Sequence, residues 1–290
     1  MKKAKYTANT DWLKMMMSRS GSRQVAPTKP PKPIKGTQLT ILGCGSSTGS
    51  PVLTCKCETC SSRDPRNNRL RASVKFQVKD KVFIVDTSPD LRQQAMREKI
   101  YWIDAVLYTH PHADHVHGID ELRSFNFLMR RAIPCYGNKW SIDTIRTKFD
   151  YIFKYSQEGG GTPAIDLHLI DKPMKIAGVK VTPIPVTHGK ATVLGYRIND
   201  IAYITDCSYI PEPTFKVLKN LDILVLDCLR PSRHPTHINI EEALALVKKI
   251  GAKKTYLTHM SHDIEYREFA RSLPKNVYPA HDGLTVRSLK

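Results

Sequence analysis

The sequence predicts an α/β (α+β) fold of sheets that carry helices on their outer faces. Three observations predict it. Short apolar-rich runs recur along the chain, the first of them separated by tight turns, and amphipathic helical patterns fill the gaps between the later ones. Strands paired first in hairpins and then interleaved with helices pack as sheets covered by helices. With 290 residues, the chain can bury a sizeable core as one large domain or two small ones.

The first strand, Gln38–Leu42, runs into the small-residue loop 43–49, Gly-Cys-Gly-Ser-Ser-Thr-Gly. This loop matches neither the P-loop nor the dinucleotide fingerprint and reads as a tight turn. Val74–Val78 and Val82–Asp86 alternate apolar and polar residues around Lys79-Asp80, which predicts a hairpin. Further strands are expected at Asp104–Thr109, Val179–Thr187, Gly195–Ile198, Ile201–Thr205, Asp222–Asp227 and Lys254–Thr258. Helical patterns occupy Leu91–Lys99, Asp120–Arg130, Ser141–Tyr155, Pro213–Asn220 and Asn239–Ile250. The last of these carries its own start and stop signals, with Asn239 as N-cap, Glu242 three residues on and Gly251 at the end.

The formal charge is +18, but nine Lys or Arg residues fall within positions 1–36 against the single acid Asp11, so much of the excess sits there. That segment contains Pro27, Pro30, Pro31 and Pro33 without a sustained apolar period and reads as a flexible basic tail, leaving 37–290 as the folded domain. It holds no apolar stretch long enough for a signal peptide or a membrane span. The expected location is therefore the cytoplasm, with an organelle the alternative for a eukaryotic source, because transit peptides are also basic and poor in acids.

Between Tyr108 and Gly118 the chain reads Tyr-Thr-His-Pro-His-Ala-Asp-His-Val-His-Gly. Imidazoles and a carboxylate suit two divalent cations, and a pair about 3.5–4 Å apart can share an activated water. In a short extended turn His110 and His112 point the same way and can grip one ion, while Asp114 and His115 come round the bend to the other. Three strands then run out at further ligand types: Val179–Thr187 at His188, Ile201–Thr205 at Asp206 and Lys254–Thr258 at His259. His188 completes the first set, His259 the second, and Asp206 can bridge both. Nitrogen and carboxylate donors suit zinc, manganese or iron.

The order His-x-His-x-Asp-His, lone His, lone Asp, lone His, here His110, His112, Asp114, His115, His188, Asp206 and His259, resembles the metallo-β-lactamase superfamily. The resemblance covers residues 38 to about 287 and implies a four-layer αββα sandwich with the metals at one edge. A second cluster, Cys55, Cys57 and Cys60, has the spacing of structural zinc, with His262 able to supply a fourth ligand from the far side of His259. A disulfide is the rival, disfavoured by the spacing of Cys55 and Cys57 and by a reducing cytoplasm. Cys44, Cys135, Cys207 and Cys228 show no metal spacing.

Those cysteines, with Thr-His-x-Ser-His late in the chain, are similar to the PhnP-type branch, the phosphoribosyl cyclic phosphate phosphodiesterases. That likeness implies a structural zinc and a catalytic His before the last long helix, matched here by His237, with His234 as competitor. Asp114 is taken as catalytic as well as a ligand. The expected function is thus hydrolysis of a small phosphodiester, a cyclic sugar phosphate or a nucleotide, by two divalent ions (Zn²⁺ or Mn²⁺) with His237 as general acid. Lys190 and Arg233 lie near ligand loops and can hold phosphate charge or serve as plain surface cations. The basic tail and the insert 157–162 depart from the family pattern. The alternatives are a transfer-RNA 3′-processing endonuclease of the ribonuclease Z type and a non-catalytic basic nucleic-acid-binding module; nucleic acid is not the favoured partner, no membrane is expected, and a homodimer stays open.

Overall fold

Central strands such as Ile201–Ile204 and Ile223–Asp227 are apolar on both faces, and the computed structural model shows why. It describes residues 6–7, 28–154 and 161–289, arranged as two sheets stacked face to face. The first sheet has the order β1 (Tyr6–Thr7), β7 (Ile165–Leu169), β6 (Ile133–Gly137), β5 (Ala105–Leu107), β4 (Lys81–Val85), β3 (Ser73–Val78), β2 (Thr37–Gly43), β15 (Thr285–Ser288). The second runs β14 (Val277–Pro279), β13 (Lys254–Thr258), β12 (Ile223–Asp227), β11 (Ile201–Ile204), β10 (Ala191–Ile198), β9 (Val179–His188), β8 (Met174–Ile176). Each sheet joins antiparallel hairpins to a parallel set, β4 to β7 in one and β11 to β14 in the other.

Period-two alternation sorts the side chains. On β4, Phe83 and Val85 point into the layer between the sheets, where they join Leu39, Phe76, Ile184, Val186, Tyr196 and Leu226; Val82 and Ile84 face outward beneath Leu91, Leu122, Phe125, Ile142 and Ile145. The helices Leu91–Arg97, Leu122–Met129 and Lys139–Lys148 thus cover the first sheet, and Ile240–Ile250 and Tyr266–Ser272 pack with the second. This is the four-layer αββα order. Asn239 accepts from the Glu242 N–H while Glu242 reaches back to the Asn239 N–H, and Gly251 closes the helix at φ +67°, as its sequence signals require.

Several boundaries differ from expectation. The helix expected over Ser141–Tyr155 breaks at Phe149, with a short turn at Tyr151–Lys154 following, and residue 155 lies outside the described residues. Pro213–Asn220 shrinks to a 3₁₀ turn at Glu212–Lys216. The loop 43–49 is a tight passage, since a Cβ on Gly43 would lie 2.0 Å from the Arg71 carbonyl oxygen. From the N-terminal basic segment, the Thr28 N–H donates to the Leu128 carbonyl, the Ile34 N–H to the Lys79 carbonyl, and Gln77 Nε2 donates to the Lys32 carbonyl. Tyr6–Thr7 pairs antiparallel with β7, and residues 1–5 and 8–27 of the expected tail lie outside the described residues. Among the described residues no helix is long and apolar enough to cross a membrane.

Candidate metal centre

Ligand-type residues collect where strands end at one edge of the sandwich. β4 ends before Asp86, β9 at His188, β11 before Asp206, β12 at Asp227 and β13 before His259, and the chain after β5 carries Thr109 and His110. Asp86, Asp206 and His259 have φ of +65°, +54° and +59°, which turns the chain sharply off each strand. Asp and His are among the few side chains at ease in that left-handed region. His112 is extended and caps the single turn Ala113–Val116, so an extended His-Pro-His is followed by a helical turn bearing Asp114 and His115.

The donor atoms of His110, His112 and His188 lie within 4.8 Å of one another, as do those of Asp114, His115, Asp206 and His259. His110 Nε2 is 3.0 Å from His112 Nδ1. Asp206 stands between the groups: Oδ1 is 3.4 Å from His259 Nε2 and 3.8 Å from His110 Nε2, while Oδ2 is 3.2 Å from His115 Nε2. The two expected sets and their shared carboxylate are therefore brought together.

Their surroundings fix how each ring presents itself. His188 Nδ1 donates to the Thr236 carbonyl at 2.8 Å, leaving Nε2 for the site. His115 Nδ1 meets Asp86 Oδ2 at 2.7 Å, and Asp86 also accepts from the Thr109 N–H and hydroxyl. Asp227 accepts from His237 Nδ1 at 3.2 Å and from the Cys207 N–H at 3.0 Å, with His259 Nδ1 3.5 Å from its other oxygen. Carboxylates behind metal-binding imidazoles hold tautomer and orientation. Asp86 and Asp227 were missed in the sequence reading, although both end predicted strands, as His188, Asp206 and His259 do.

The electrostatics lean towards a cation. Burial opposes charge on His115, yet Asp206, Asp114 and Asp86 together hold its pKa well above the imidazole range. Burial likewise opposes charge on Asp206, and His259, His115 and His110 outweigh it, holding the carboxyl well below its usual range. His110, buried among other imidazoles, is pushed down. His115 Nε2 and His259 Nε2 are buried without a hydrogen-bond partner among the described residues. Orphaned imidazole nitrogens converging on buried carboxylates fit divalent ions, which would satisfy both.

His237 is buried beside this cluster. Its ring stacks on His259 at 4.8 Å and 12° and meets His188 edge to face at 4.7 Å; Nε2 is 3.9 Å from Asp206 Oδ1. Burial works against its charged form, but the Asp227 hydrogen bond and charge raise its pKa above the ordinary value. His237 also lies within 4.8 Å of donor atoms of His188 and Asp206, so proximity alone allows a ligand role too. His234, 5.2 Å from His237 between ring centres, turns its Nδ1 to the Thr236 hydroxyl. Lys190 and Arg233 are exposed on flanking loops.

The second expected cluster also assembles. His262 Nδ1 lies 3.3, 3.4 and 3.6 Å from the sulfurs of Cys55, Cys57 and Cys60. The Cys60 backbone N–H, helped by His262, lowers the Cys57 pKa to about 6, whereas burial raises Cys60 to about 11. Three sulfurs around one imidazole nitrogen match the donor set that a closed zinc site requires. The buried Arg69 joins the same two loops by donating to the carbonyls of Ser261 and Ile264.

Comparison with known proteins agrees with this architecture. The β-lactamase superfamily domain matches residues 81–260. A diphosphatase from the PhnP family is 40% identical, with a TM-score of 0.82 over 87% of this chain and 98% of its own. An octanoyltransferase of Porphyromonas gingivalis is 36% identical over 250 residues, which is 84% of this chain but 50% of that protein, so the chain spans about half of that relative's length. Zn²⁺-bound PqqB from Methylobacterium extorquens, 20% identical with a TM-score of 0.70 over 87% of this chain and 100% of its own, shares the fold. Identity of this extent to a PhnP-family enzyme over nearly its whole length, and a domain match across most of the folded region, make the chain a member of the β-lactamase superfamily, a metallo-hydrolase of PhnP type.

Proposed function

We propose that this chain hydrolyses a small phosphodiester, either a cyclic sugar phosphate or a nucleotide, with His237 as the proton donor. The family generally binds divalent metals. Here His110, His112 and His188 would hold one ion, Asp114, His115 and His259 a second, with Asp206 shared, and Cys55, Cys57, Cys60 and His262 a structural zinc. Bound there, the ions would activate water and offset charge on a phosphoryl oxygen.

One observation carries the reading: His237 has its Nδ1 fixed by Asp227 while its Nε2 faces the ligand cluster. Asp227 keeps that ring oriented and favours its protonated form, so Nε2 can give a proton to a departing alkoxide, the step that a poor leaving group most needs. Similarity to a diphosphatase supports attack at phosphorus; a diphosphate offers the same centre with a phosphate as leaving group. The basic charge favours the ribonuclease Z type of reading, but no Gly/Pro-rich arm for gripping transfer RNA is evident in the sequence. A binding module without catalysis has no need of the complete ligand set. The acyl-transfer name belongs to a relative half of which lies outside the match.

The test is metal analysis of the purified chain with hydrolysis of bis(p-nitrophenyl) phosphate, ribose cyclic phosphate, cyclic nucleotides, a nucleoside diphosphate ester and precursor transfer RNA. Turnover of the small esters in the zinc or manganese form is expected. Cleavage of precursor transfer RNA alone would transfer the chain to the endonuclease reading, and no hydrolysis in any metal form would end both.

A further inference from the structure

The ligand cluster is closed on most sides, since His110, His115, His188, Asp206 and His259 are all buried, whereas His112 and the adjacent Ala113 are exposed. The mouth therefore lies at His112. Against it stands Trp140, whose indole meets the His112 ring edge to face at 5.8 Å and is 39% exposed. Part of the indole is therefore open to solvent at the mouth of the centre.

Its mounting is firm. Trp140 sits in the first turn of the Lys139–Lys148 helix, where the Asn138 side chain accepts from the Ser141 N–H and donates to the Thr192 carbonyl on β10, the strand paired with His188. At the other end of the helix, Lys148 Nζ donates to the Pro111 carbonyl at 3.2 Å, between His110 and His112. One helix thus brings a flat ring to the exposed ligand and a cation to the backbone just before it.

A phosphoryl group at the metals with an aromatic ring on the indole describes a nucleotide. Stacking needs only a π-face, which the partly exposed indole offers. We infer that Trp140 is the platform on which a nucleobase of the substrate stacks, so that the scissile phosphoester carries a nucleoside. The inference rests on the phosphoester reading above and selects the nucleotide within it.

The experiment measures equilibrium binding of AMP and of ribose 5-phosphate to the metal-loaded full chain by calorimetry, which needs no turnover. AMP is expected to bind about tenfold more tightly, within the range of a base stacked on an aromatic side chain. In Trp140→Ala that preference should disappear with ribose 5-phosphate affinity and metal content unchanged, and Trp140→Phe should keep most of it. Equal binding of the two ligands by the wild type, no binding of AMP, or a preference that survives Trp140→Ala overturns the inference. Hydrolysis of bis(p-nitrophenyl) phosphate, measured separately, reports on the phosphoester reading itself.

Discussion

His237→Ala tests whether the proposed acid is an acid. The ring touches Asp227 at 3.2 Å and approaches Asp206 no closer than 3.9 Å, so its removal leaves both expected ligand sets whole. A positioned general acid contributes about 10²–10⁴-fold, or roughly 2.7–5.4 kcal/mol at 1.36 kcal/mol per factor of ten. That loss should appear in kcat on an alkyl phosphodiester. On bis(p-nitrophenyl) phosphate, whose leaving group departs as a stable anion, it should be far smaller. Asp227 keeps the Cys207 N–H, but the vacated space and lost hydrogen bond should lower stability by about 1–3 kcal/mol, so both rates are taken well below the melting transition. Metal content should not change. Equal losses on the two esters, or loss of an ion, would refute the assignment and make His237 the ligand that its closeness to His188 and Asp206 also allows; His234 would then be the next acid to examine.

Asp206→Ala should abolish hydrolysis with the fold retained, because this carboxylate faces both ligand sets; more than about a tenth of wild-type activity in a metal-depleted variant contradicts a two-metal centre. Cys57→Ser should cost one zinc per chain and lower the melting temperature, since a structural zinc contributes folding free energy, and an unchanged zinc count removes Cys57 from the ligands. In metal-stripped protein, Cys57 alkylation should rise as pH passes about 6, because a lowered pKa populates the thiolate above that point, and zinc should protect it. A midpoint near the free-thiol value of about 8.5 counts against the contacts drawn for this loop.

How far the fold and site were legible depended on sequence distance and on burial. The expected strands at 38–42, 74–78, 82–86, 179–187, 201–205 and 254–258 all form, because each is a β-rich run bounded by turn residues. β6 carries Pro134, which has no N–H to give a ladder, and Gly137, residues that argue against a central strand, yet it pairs with β5 on one side and β7 on the other. β8, β14 and β15 are three or four residues long and owe their conformation to the partner strand rather than to a local pattern. At the site, ligand types at strand ends could be read directly. Asp86 and Asp227 follow the same rule, but a carboxylate supporting an imidazole looks in sequence like any strand-terminal turn. Trp140 could not be found that way, since it lies 28 residues beyond His112 and meets it only through the packing of a helix on the first sheet.

The division of ligands between the sheets gives the interior a measuring function. His110, His112, Asp114 and His115 hang from the first sheet, His188, Asp206 and His259 from the second, and the gap between them is set by side chains such as Phe76, Phe83, Ile184 and Val186. Interiors at near-crystalline density pass a change of volume on as displacement. A methyl group gained or lost there shifts one half of the ligand set against the other. On the proposed reading, substitutions in this core should alter metal affinity as well as the melting temperature.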